Sequence, residues 1–296
     1  MNNKKKGISL VLIATLFWGM MGVTSRTLAN SGIDSMSISF FRCLIASIGF
    51  SIFLLIFNRK AFSIDLKGII ISGIYGIVTF GLSFTTFNIA VERVPIAVAT
   101  VLMFTNPIWV TIFNAIFFKE KITARKAIII LLAITGCILI SNIFGVGLEN
   151  LDIVGLLIGL STGILFALQL VIPRFFVGTY SKDSMLIYGF IFSTIALAFF
   201  TNFDAIGTAV TNNASPAFVI ANILSIGVLS TFIANIAYVK ATDYIETGVA
   251  SVLVALEPVL GSFFAYLVYG ETLTAFQLLG GLFIIAAAIW LSRISD

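Results

Sequence analysis

The chain alternates long apolar stretches with short polar gaps along almost its whole length. Each stretch has about the 17 to 25 residues that a helix needs to cross a hydrocarbon core of about 30 Å. They show almost no polar face, unlike helices at the surface of a soluble protein. We therefore predict ten transmembrane helices, roughly over residues 7–29, 36–57, 68–91, 96–118, 126–143, 153–173, 184–203, 217–240, 248–269 and 275–292.

Composition supports a membrane protein of the all-α class. Hydrophobic residues make up 59% of the chain and charged residues 10%, against about 25% charged in soluble domains. The stretches are too long for barrel strands, and lipid offers no water to unpaired backbone groups, so helices are expected. The first stretch follows Lys4 to Lys6 and resembles a secretory signal, but its apolar part is longer than a usual signal core. We expect it to be retained as a helix.

The basic residues predict the orientation. Of the 17 Lys and Arg residues, Arg26 and Arg93 lie in one set of alternate gaps, Arg42 lies inside the second stretch, and the rest lie in the other gaps or near the ends. Because cytoplasmic loops retain Lys and Arg, we predict that both termini are cytoplasmic in a multi-pass protein of the cell membrane. The net charge of +4 then reflects orientation in a lipid bilayer, and not nucleic-acid binding.

The chain also repeats itself. The segments Pro107 to Ala124 and Pro258 to Ala275 align at a shift of 151 residues, with proline, glutamate, threonine and alanine in one register. Weaker matches follow in chain order: Gly7 with Gly155 and Arg26 with Arg174 at a shift of 148, and Asn88 with Asn235 at a shift of 147. We predict two five-helix repeats, residues 1–148 and 149–296, in one membrane unit. Because five is odd, the second repeat would be inverted, as in many secondary transporters.

These motifs resemble the EamA family of the drug/metabolite transporter superfamily. In each half, a proline in the middle of a stretch is followed by a turn that contains glutamate: Asn106-Pro107 with Lys119 to Thr123, and Glu257-Pro258 with Gly270 to Thr274. The arginine motif Phe40-Phe41-Arg42 and the aromatic-glycine pair Trp18-Gly19 are also similar to the family. Lys119 departs from the glycine that the family usually has there. The resemblance implies a ten-helix secondary carrier of small metabolites, with spans 1 to 4 and 6 to 9 around a central cavity and spans 5 and 10 at the periphery.

Residue types limit the chemistry. The sequence has no His, which excludes histidine-based acid–base catalysis and histidine metal sites, and it has no Gly-Lys-Ser or Gly-Lys-Thr phosphate loop. Cys43 and Cys137 lie in separate stretches without metal-like spacing. We expect no enzymatic activity, no cofactor and no metal. An integral membrane enzyme stays an alternative that would need clustered reactive groups at one leaflet.

Charged residues inside apolar stretches are costly and therefore candidates for function. Glu257 lies near the middle of the ninth stretch, where its carboxylate could be protonated reversibly or pair with a substrate amine. Its alternative role is a bond to backbone groups freed by Pro258. Arg42 could bind a substrate carboxylate through two hydrogen bonds, or extend to the interface as an anchor.

Uncharged polar and aromatic residues complete the predicted substrate site. Polar residues recur at helical spacing in the third and eighth stretches, where Thr231 belongs to the second set, and such a face can line a cavity or bond another helix. Tryptophans near span centres could form an aromatic wall, or simply pack. The candidates besides Arg42 and Glu257 are Trp18, Tyr75, Asn88, Trp109, Gln169, Asn235 and Tyr238.

The sixth stretch carries Gly155, Gly159 and Gly163 at four-residue spacing, which predicts the close approach of a neighbouring helix. Together these patterns predict a secondary transporter that moves a small organic metabolite, most simply an amino acid or related compound, by alternating access. Protons are a candidate coupling ion, and a monomer and a homodimer both stay open. The alternative within transport is a multidrug or quaternary-ammonium exporter, favoured if Trp18, Trp109 and Glu257 face one cavity.

Overall fold

The computed structural model describes residues 3–94, 96–143, 152–213 and 215–294. About 84% of the chain is helical, and these ranges contain no strand, which confirms the all-α class. The α-helices of the first half are α1 (Asn3–Asn30), α2 (Ser35–Phe57), α3 (Leu66–Gly76), α4 (Ser83–Arg93), α5 (Ile96–Met103), α6 (Asn106–Phe118) and α7 (Ala124–Ile140). Those of the second are α8 (Ile153–Val171), α9 (Lys182–Ala198), α10 (Phe203–Thr211), α11 (Pro216–Gly227), α12 (Ala234–Ala241), α13 (Thr247–Val254), α14 (Glu257–Tyr269) and α15 (Ala275–Ile294).

Each of the ten predicted apolar stretches is mainly helical where it is described. By length and hydropathy, seven continuous helical segments in the described ranges could cross a membrane, and an eighth results if α9 and α10, bent by 89°, form one span. The number ten and the cytoplasmic termini stay predictions. The predicted boundary between residues 148 and 149 falls in 144–151, outside the described residues.

The two halves contain the same irregularities at a constant shift of 151 residues. A π-helical turn follows α3 at Ile77–Leu82, and another follows α11 at Val228–Ile233. Two helices are broken at equivalent points, between α5 and α6 and between α13 and α14. The later helix of each pair starts at an X-Pro sequence, where proline in the first turn loses no helical hydrogen bond.

This constant shift corrects one predicted alignment. Matching the two π-helical turns places Asn235 opposite Phe84, and not opposite Asn88 as the shift of 147 predicted. A short identity between two apolar helices does not fix their register.

Both halves also end their second broken helix in the same backbone conformation. Lys119 and Gly270, which follow α6 and α14, are left-handed at φ 56° and φ 69°. Glycine adopts this conformation without a steric penalty, whereas a lysine side chain does not. The turn at Lys119 therefore has the same backbone conformation as the turn at Gly270, although lysine favours that conformation less than glycine does.

The helices of the two halves interleave. The chief packing partners are α1 with α12 and α14, α2 and α3 with α9, α8 with α4, α5 and α6, and α7 with α15. Each of these contacts joins one predicted half to the other. The halves therefore share a common core and do not form separate bodies.

Glycines allow several of these contacts. An added Cβ at Gly155 would meet Arg93 at 2.7 Å, and one at Gly159 would meet Leu102 at 2.8 Å. At Gly163 it would meet the Leu102 carbonyl oxygen at 2.7 Å. The predicted close approach along the sixth stretch is thus confirmed, and it brings α8 against α4 and α5.

Contacts between helix ends define two faces of the molecule. The face that we call the N-terminal face carries three polar contacts: Lys6 with Tyr244, Lys126 with Glu246, and Lys182 with Asp243. Arg26 lies 20 residues beyond Lys6 on the same helix, about 30 Å away at 1.5 Å per residue. It therefore lies on the opposite face, where it pairs with Glu271.

Candidate substrate site

A chain of hydrogen bonds crosses the middle of the molecule between the two halves. The Tyr75 hydroxyl donates to the Gln169 carbonyl oxygen at 3.1 Å, and the Gln169 side-chain amide donates to Asn235 Oδ1 at 2.9 Å. The Asn235 amide donates to the Thr231 carbonyl oxygen at 2.7 Å. Arg42 joins the chain by donating from Nε to Thr231 Oγ1 at 3.2 Å. Four different spans thus meet in one polar network.

The π-helical turn at Val228–Ile233 places Thr231 in this network. The Thr231 hydroxyl donates to the Ile226 carbonyl oxygen, five residues back, at 2.9 Å. A threonine in a regular α-helix donates three or four residues back, so the wider turn changes where this hydroxyl lies. From there it also accepts the hydrogen bond from Arg42.

Aromatic rings pack beside the network. Trp18 meets Tyr238 edge to face, with ring centroids 4.9 Å apart, and it meets Phe166 in the same way at 6.1 Å. Trp18 and Tyr238 are buried, with 5% and 1% of their surfaces exposed. Edge-to-face geometry is favoured for aromatic pairs, so these rings form a fixed wall.

Arg42 and Glu257 are the charged members of the site, and both are half-buried. The Arg42 guanidinium lies 4.0 Å over the Phe84 ring. In the ranges that the structure describes, its terminal nitrogens donate no hydrogen bond, and the Glu257 carboxylate neither accepts one nor forms an ion pair. The two groups are nevertheless close enough to attract each other electrostatically.

These positions bear on the two structural alternatives. Glu257 is the first residue of α14, directly after the helix break, and its carboxylate makes no bond to the backbone near Pro258 within the described chain. Arg42 bonds Thr231 on another span, so its side chain is directed into the helical assembly. Arg42 contacts Thr231 and the Phe84 ring, and it forms no ion pair within the described residues.

Two predicted site residues lie apart from the network. The Asn88 amide donates to the Ser35 carbonyl oxygen at 3.1 Å and to Ser39 Oγ at 3.2 Å, which ties α4 to α2. The Trp109 indole donates to Thr105 Oγ1 at 3.2 Å, one turn back on its own segment. Among the contacts of the described residues, neither side chain meets the network directly.

Sequence reasoning missed two features. Phe84 was not predicted to contact Arg42, because one phenylalanine among 29 has no distinguishing pattern. The second feature is a polar cluster on the N-terminal face, made of Asn114, Glu120, Arg174 and Thr247. The internal repeat held a signal for that cluster, since it matches Arg174 with Arg26 and Glu120 with Glu271.

Comparison with known protein families gives a match in each half of the chain. The sequence profile of the EamA-like transporter family matches residues 5–142 and again residues 153–293. The chain belongs to the EamA-like transporter family. It is accordingly a multi-pass membrane protein, and its family function is the membrane transport of a small molecule.

Relatives support this membership along nearly the whole chain. An uncharacterized transporter of Clostridium kluyveri is 25% identical, covering 96% of this chain and 92% of its own. The uncharacterized inner membrane transporter YicL of Salmonella typhimurium is 26% identical over 99% and 97%. A solved crystal structure superposes with a TM-score of 0.81 over 98% of both chains at 13% identity, which shows the fold alone.

Proposed function

We propose that this EamA-like protein is a secondary transporter for a zwitterionic metabolite, an amino acid or a related compound. The observation that carries the proposal is the pair of opposite charges, Arg42 and Glu257, which are half-buried in one site without forming an ion pair among the described residues. Unpaired charges inside a membrane protein are costly and are kept where they act on a ligand or an ion.

The site offers a complementary group for each part of an amino acid. The terminal nitrogens of Arg42 donate no hydrogen bond within the described residues and suit a carboxylate, which accepts two parallel hydrogen bonds from a guanidinium. Glu257 suits the ammonium group. The buried pair Trp18 and Tyr238 lies nearby as an apolar wall for a side chain, and Gln169 supplies a polar edge.

Alternating access between two inverted halves is the mechanism that we propose. It is supported by the family profile matching each half, and by the π-helical turns and helix breaks at one constant shift. The network draws Arg42 and Tyr75 from the first half, and Gln169 and Asn235 from the second. Movement of one half against the other would therefore change the site itself.

Transport into liposomes tests this proposal. The purified protein is reconstituted and screened with radiolabelled amino acids, with and without an imposed pH gradient. We expect uptake of a zwitterionic substrate, and loss of most of it, about ten-fold or more, in Glu257→Gln and in Arg42→Gln. The controls are Asp243→Asn and Arg59→Gln, which remove matched charges at the N-terminal face.

The pH gradient separates two roles of Glu257. If the carboxylate carries the coupling proton, Glu257→Gln still exchanges substrate across the membrane but no longer responds to the gradient. If it binds only the ammonium group, substrate affinity falls and the response to pH persists. Full activity of both charge variants across the screen would refute the proposed site.

A quaternary-ammonium exporter is the second candidate, because Glu257 and the ring pair Trp18–Tyr238 could together hold a cation. Arg42 in the same site argues against it, since a fixed cation repels a cationic substrate. Trp109, the further aromatic residue that this alternative requires, lies outside the network. Transport of tetraphenylphosphonium in the same liposomes, undiminished by Arg42→Gln, would favour the exporter.

A further inference from the structure

Two ion pairs, Arg26–Glu271 and Arg174–Glu120, occupy equivalent positions in the internal repeat. Arg26 matches Arg174 at the shift of 148, and Glu120 matches Glu271 at the shift of 151. We propose that they are a pair of locks, each of which holds one face of the transporter closed and breaks when that face opens. The inference rests on the proposed alternating access.

The equivalence extends to the aromatic partners. The Arg26 guanidinium lies 4.5 Å over the ring of Tyr269, and the Arg174 guanidinium lies 4.0 Å over the ring of Phe118. Tyr269 and Phe118 are themselves related by the shift of 151. Each lock is therefore the same three-part arrangement of arginine, aromatic ring and glutamate, built twice.

The residues after the two arginines add a further equivalent contact. Thr27 Oγ1 lies 2.9 Å from the Tyr269 hydroxyl. Phe175, which matches Thr27, places its ring 5.0 Å from that of Phe118. Thr27 makes a polar contact with the aromatic residue of its lock, and Phe175 makes an apolar one. The equivalent residue thus contacts the equivalent ring in both locks, through different chemistry.

The locks lie on opposite faces. Arg26 lies near the far end of α1 from Lys6, on the opposite face. Arg174 bonds Thr247, directly after Glu246, which pairs with Lys126 on the N-terminal face. A shallow cleft lined in part by Asn114 and Glu120 lies beside this second lock.

Each lock joins the two halves in the same way. The arginine stands at the end of the first span of one half, and the glutamate lies in the turn that follows α6 or α14 of the other half. A rocking movement that separates the halves at one face must therefore break the lock there. Both locks are formed in this structure.

The two locks differ in strength. Arg174 also donates to Asn114 Oδ1 at 2.7 Å and to Thr247 Oγ1 at 3.4 Å, besides Glu120 at 2.8 Å. Its side chain is 27% exposed and that of Glu120 31%, against 54% and 51% for Arg26 and Glu271. An exposed pair is screened by water and contributes little, whereas a half-buried, multiply bonded one contributes more. The opposite face should therefore open more readily.

Distances between spin labels across each face test the locks without a known substrate. Labels at Asn30→Cys and Thr272→Cys report on the opposite face, and labels at Lys121→Cys and Thr179→Cys report on the N-terminal face. All four positions are exposed, whereas the native Cys43 and Cys137 are buried and stay in place. Pulsed electron double resonance is measured on the protein in lipid nanodiscs.

We expect Glu271→Gln to raise the open population of the opposite face by roughly two- to five-fold, and Glu120→Gln to raise that of the N-terminal face by roughly ten-fold. The exchange Arg26→Glu with Glu271→Arg should restore the first distribution. Lys182→Gln is the control, because its ion pair with Asp243 lies within the second half on the N-terminal face.

Unchanged distances in both glutamate variants would overturn the locks, and so would an equal change in Lys182→Gln. Opening of both faces together would overturn the alternation. These outcomes are independent of substrate identity. The locks can therefore fail while a zwitterion is still transported, and the substrate proposal can fail while the distances change as expected.

Discussion

Arg42 and Glu257 show how few residues give a membrane site its chemistry. Burial of a charge in an apolar environment is costly, and the cost is reduced when an opposite charge lies nearby. Here the two charges attract each other while each keeps part of its surface exposed. A ligand with two opposite charges would complete the arrangement and satisfy both groups at once.

Asp152 lies outside the spans and forms an ion pair with Arg93. The effect of its protonation can be measured as a change in the stability of the fold with pH. A hydrogen bond from Arg93 Nη1 at 2.9 Å, and a second from the Val154 amide, hold the pKa of the Asp152 carboxyl below its usual value. A lowered pKa stabilises the fold above the unfolded pKa of about 4, and this contribution is lost as the pH falls through the lower folded pKa.

We therefore expect Asp152→Asn to lower the melting temperature slightly near pH 6, with the difference from the unmodified protein disappearing as the pH falls through the lowered folded pKa of Asp152. Asparagine still caps α8, so the variant removes charge and keeps the cap. The control is Asp204→Asn, an exposed carboxylate without an ion pair in the described chain. A difference that persists at low pH would contradict the ion-pair explanation.

At the residue scale, the sequence revealed what stands out against an apolar background. Arg42, Gln169, Asn235 and Glu257 are conspicuous inside hydrophobic stretches, and hydrogen bonds through Thr231 join the first three in one network. Asn88 was equally conspicuous, yet it bonds α2. Sequence spacing shows that a polar group is buried but not which neighbouring helix meets it.

At the element scale, two helices approach closely where two glycines meet. Gly76 of α3 faces Gly189 of α9, and a Cβ added at Gly76 would overlap the Gly189 backbone. A backbone cannot yield as a flexible side chain does, so the helices would have to separate. We expect Gly76→Ala to destabilise the protein by about 1 to 3 kcal/mol.

Thermal unfolding in detergent measures this cost. Gly81→Ala is the matched control on the same span, because a Cβ at Gly81 would meet its nearest neighbour, Ser193, at an ordinary 3.9 Å. We expect the control to unfold close to the unmodified protein. Equal losses in both variants would mean that helix contact at Gly76 is not the cause.

Helix breaks and π-helical turns could not be predicted from hydropathy. The apolar stretch containing Glu257 reads as one span, yet it consists of α13 and α14. A window of apolar residues has the same mean hydropathy whether its helix is continuous or broken. Pro107 and Pro258 lie in the first turn of α6 and α14, directly after the breaks. Proline is favoured in the first turn of a helix, so each proline marks where a new helix begins.

At the scale of the whole molecule, the orientation in the membrane is open to direct measurement. Lys121→Cys lies on the N-terminal face and Asn30→Cys near the opposite end of α1, and both positions are exposed. If the N-terminal face is cytoplasmic, a membrane-impermeant thiol reagent should label Asn30→Cys in intact cells, and label Lys121→Cys only after permeabilisation. The reverse pattern would contradict the orientation that we predict from Lys and Arg.

The repeat could be predicted from sequence because the proline and glutamate residues near turns align between the two halves at one shift. Its full extent was not, because apolar residues replace one another freely in a lipid-facing helix. The family profile matches each half separately and the π-helical turns recur at a shift of 151 residues, while the division into two repeats stays a prediction.

The paired π-helical turns also carry information about descent. A π-helical turn holds one residue more than the α-helical turn it replaces, and Ile77–Leu82 and Val228–Ile233 hold it at the same place. If the two halves descend from one duplicated gene, as the sequence predicts, a single insertion in that gene accounts for both turns. The π-helical turn of the third and eighth spans would then be older than the present chain.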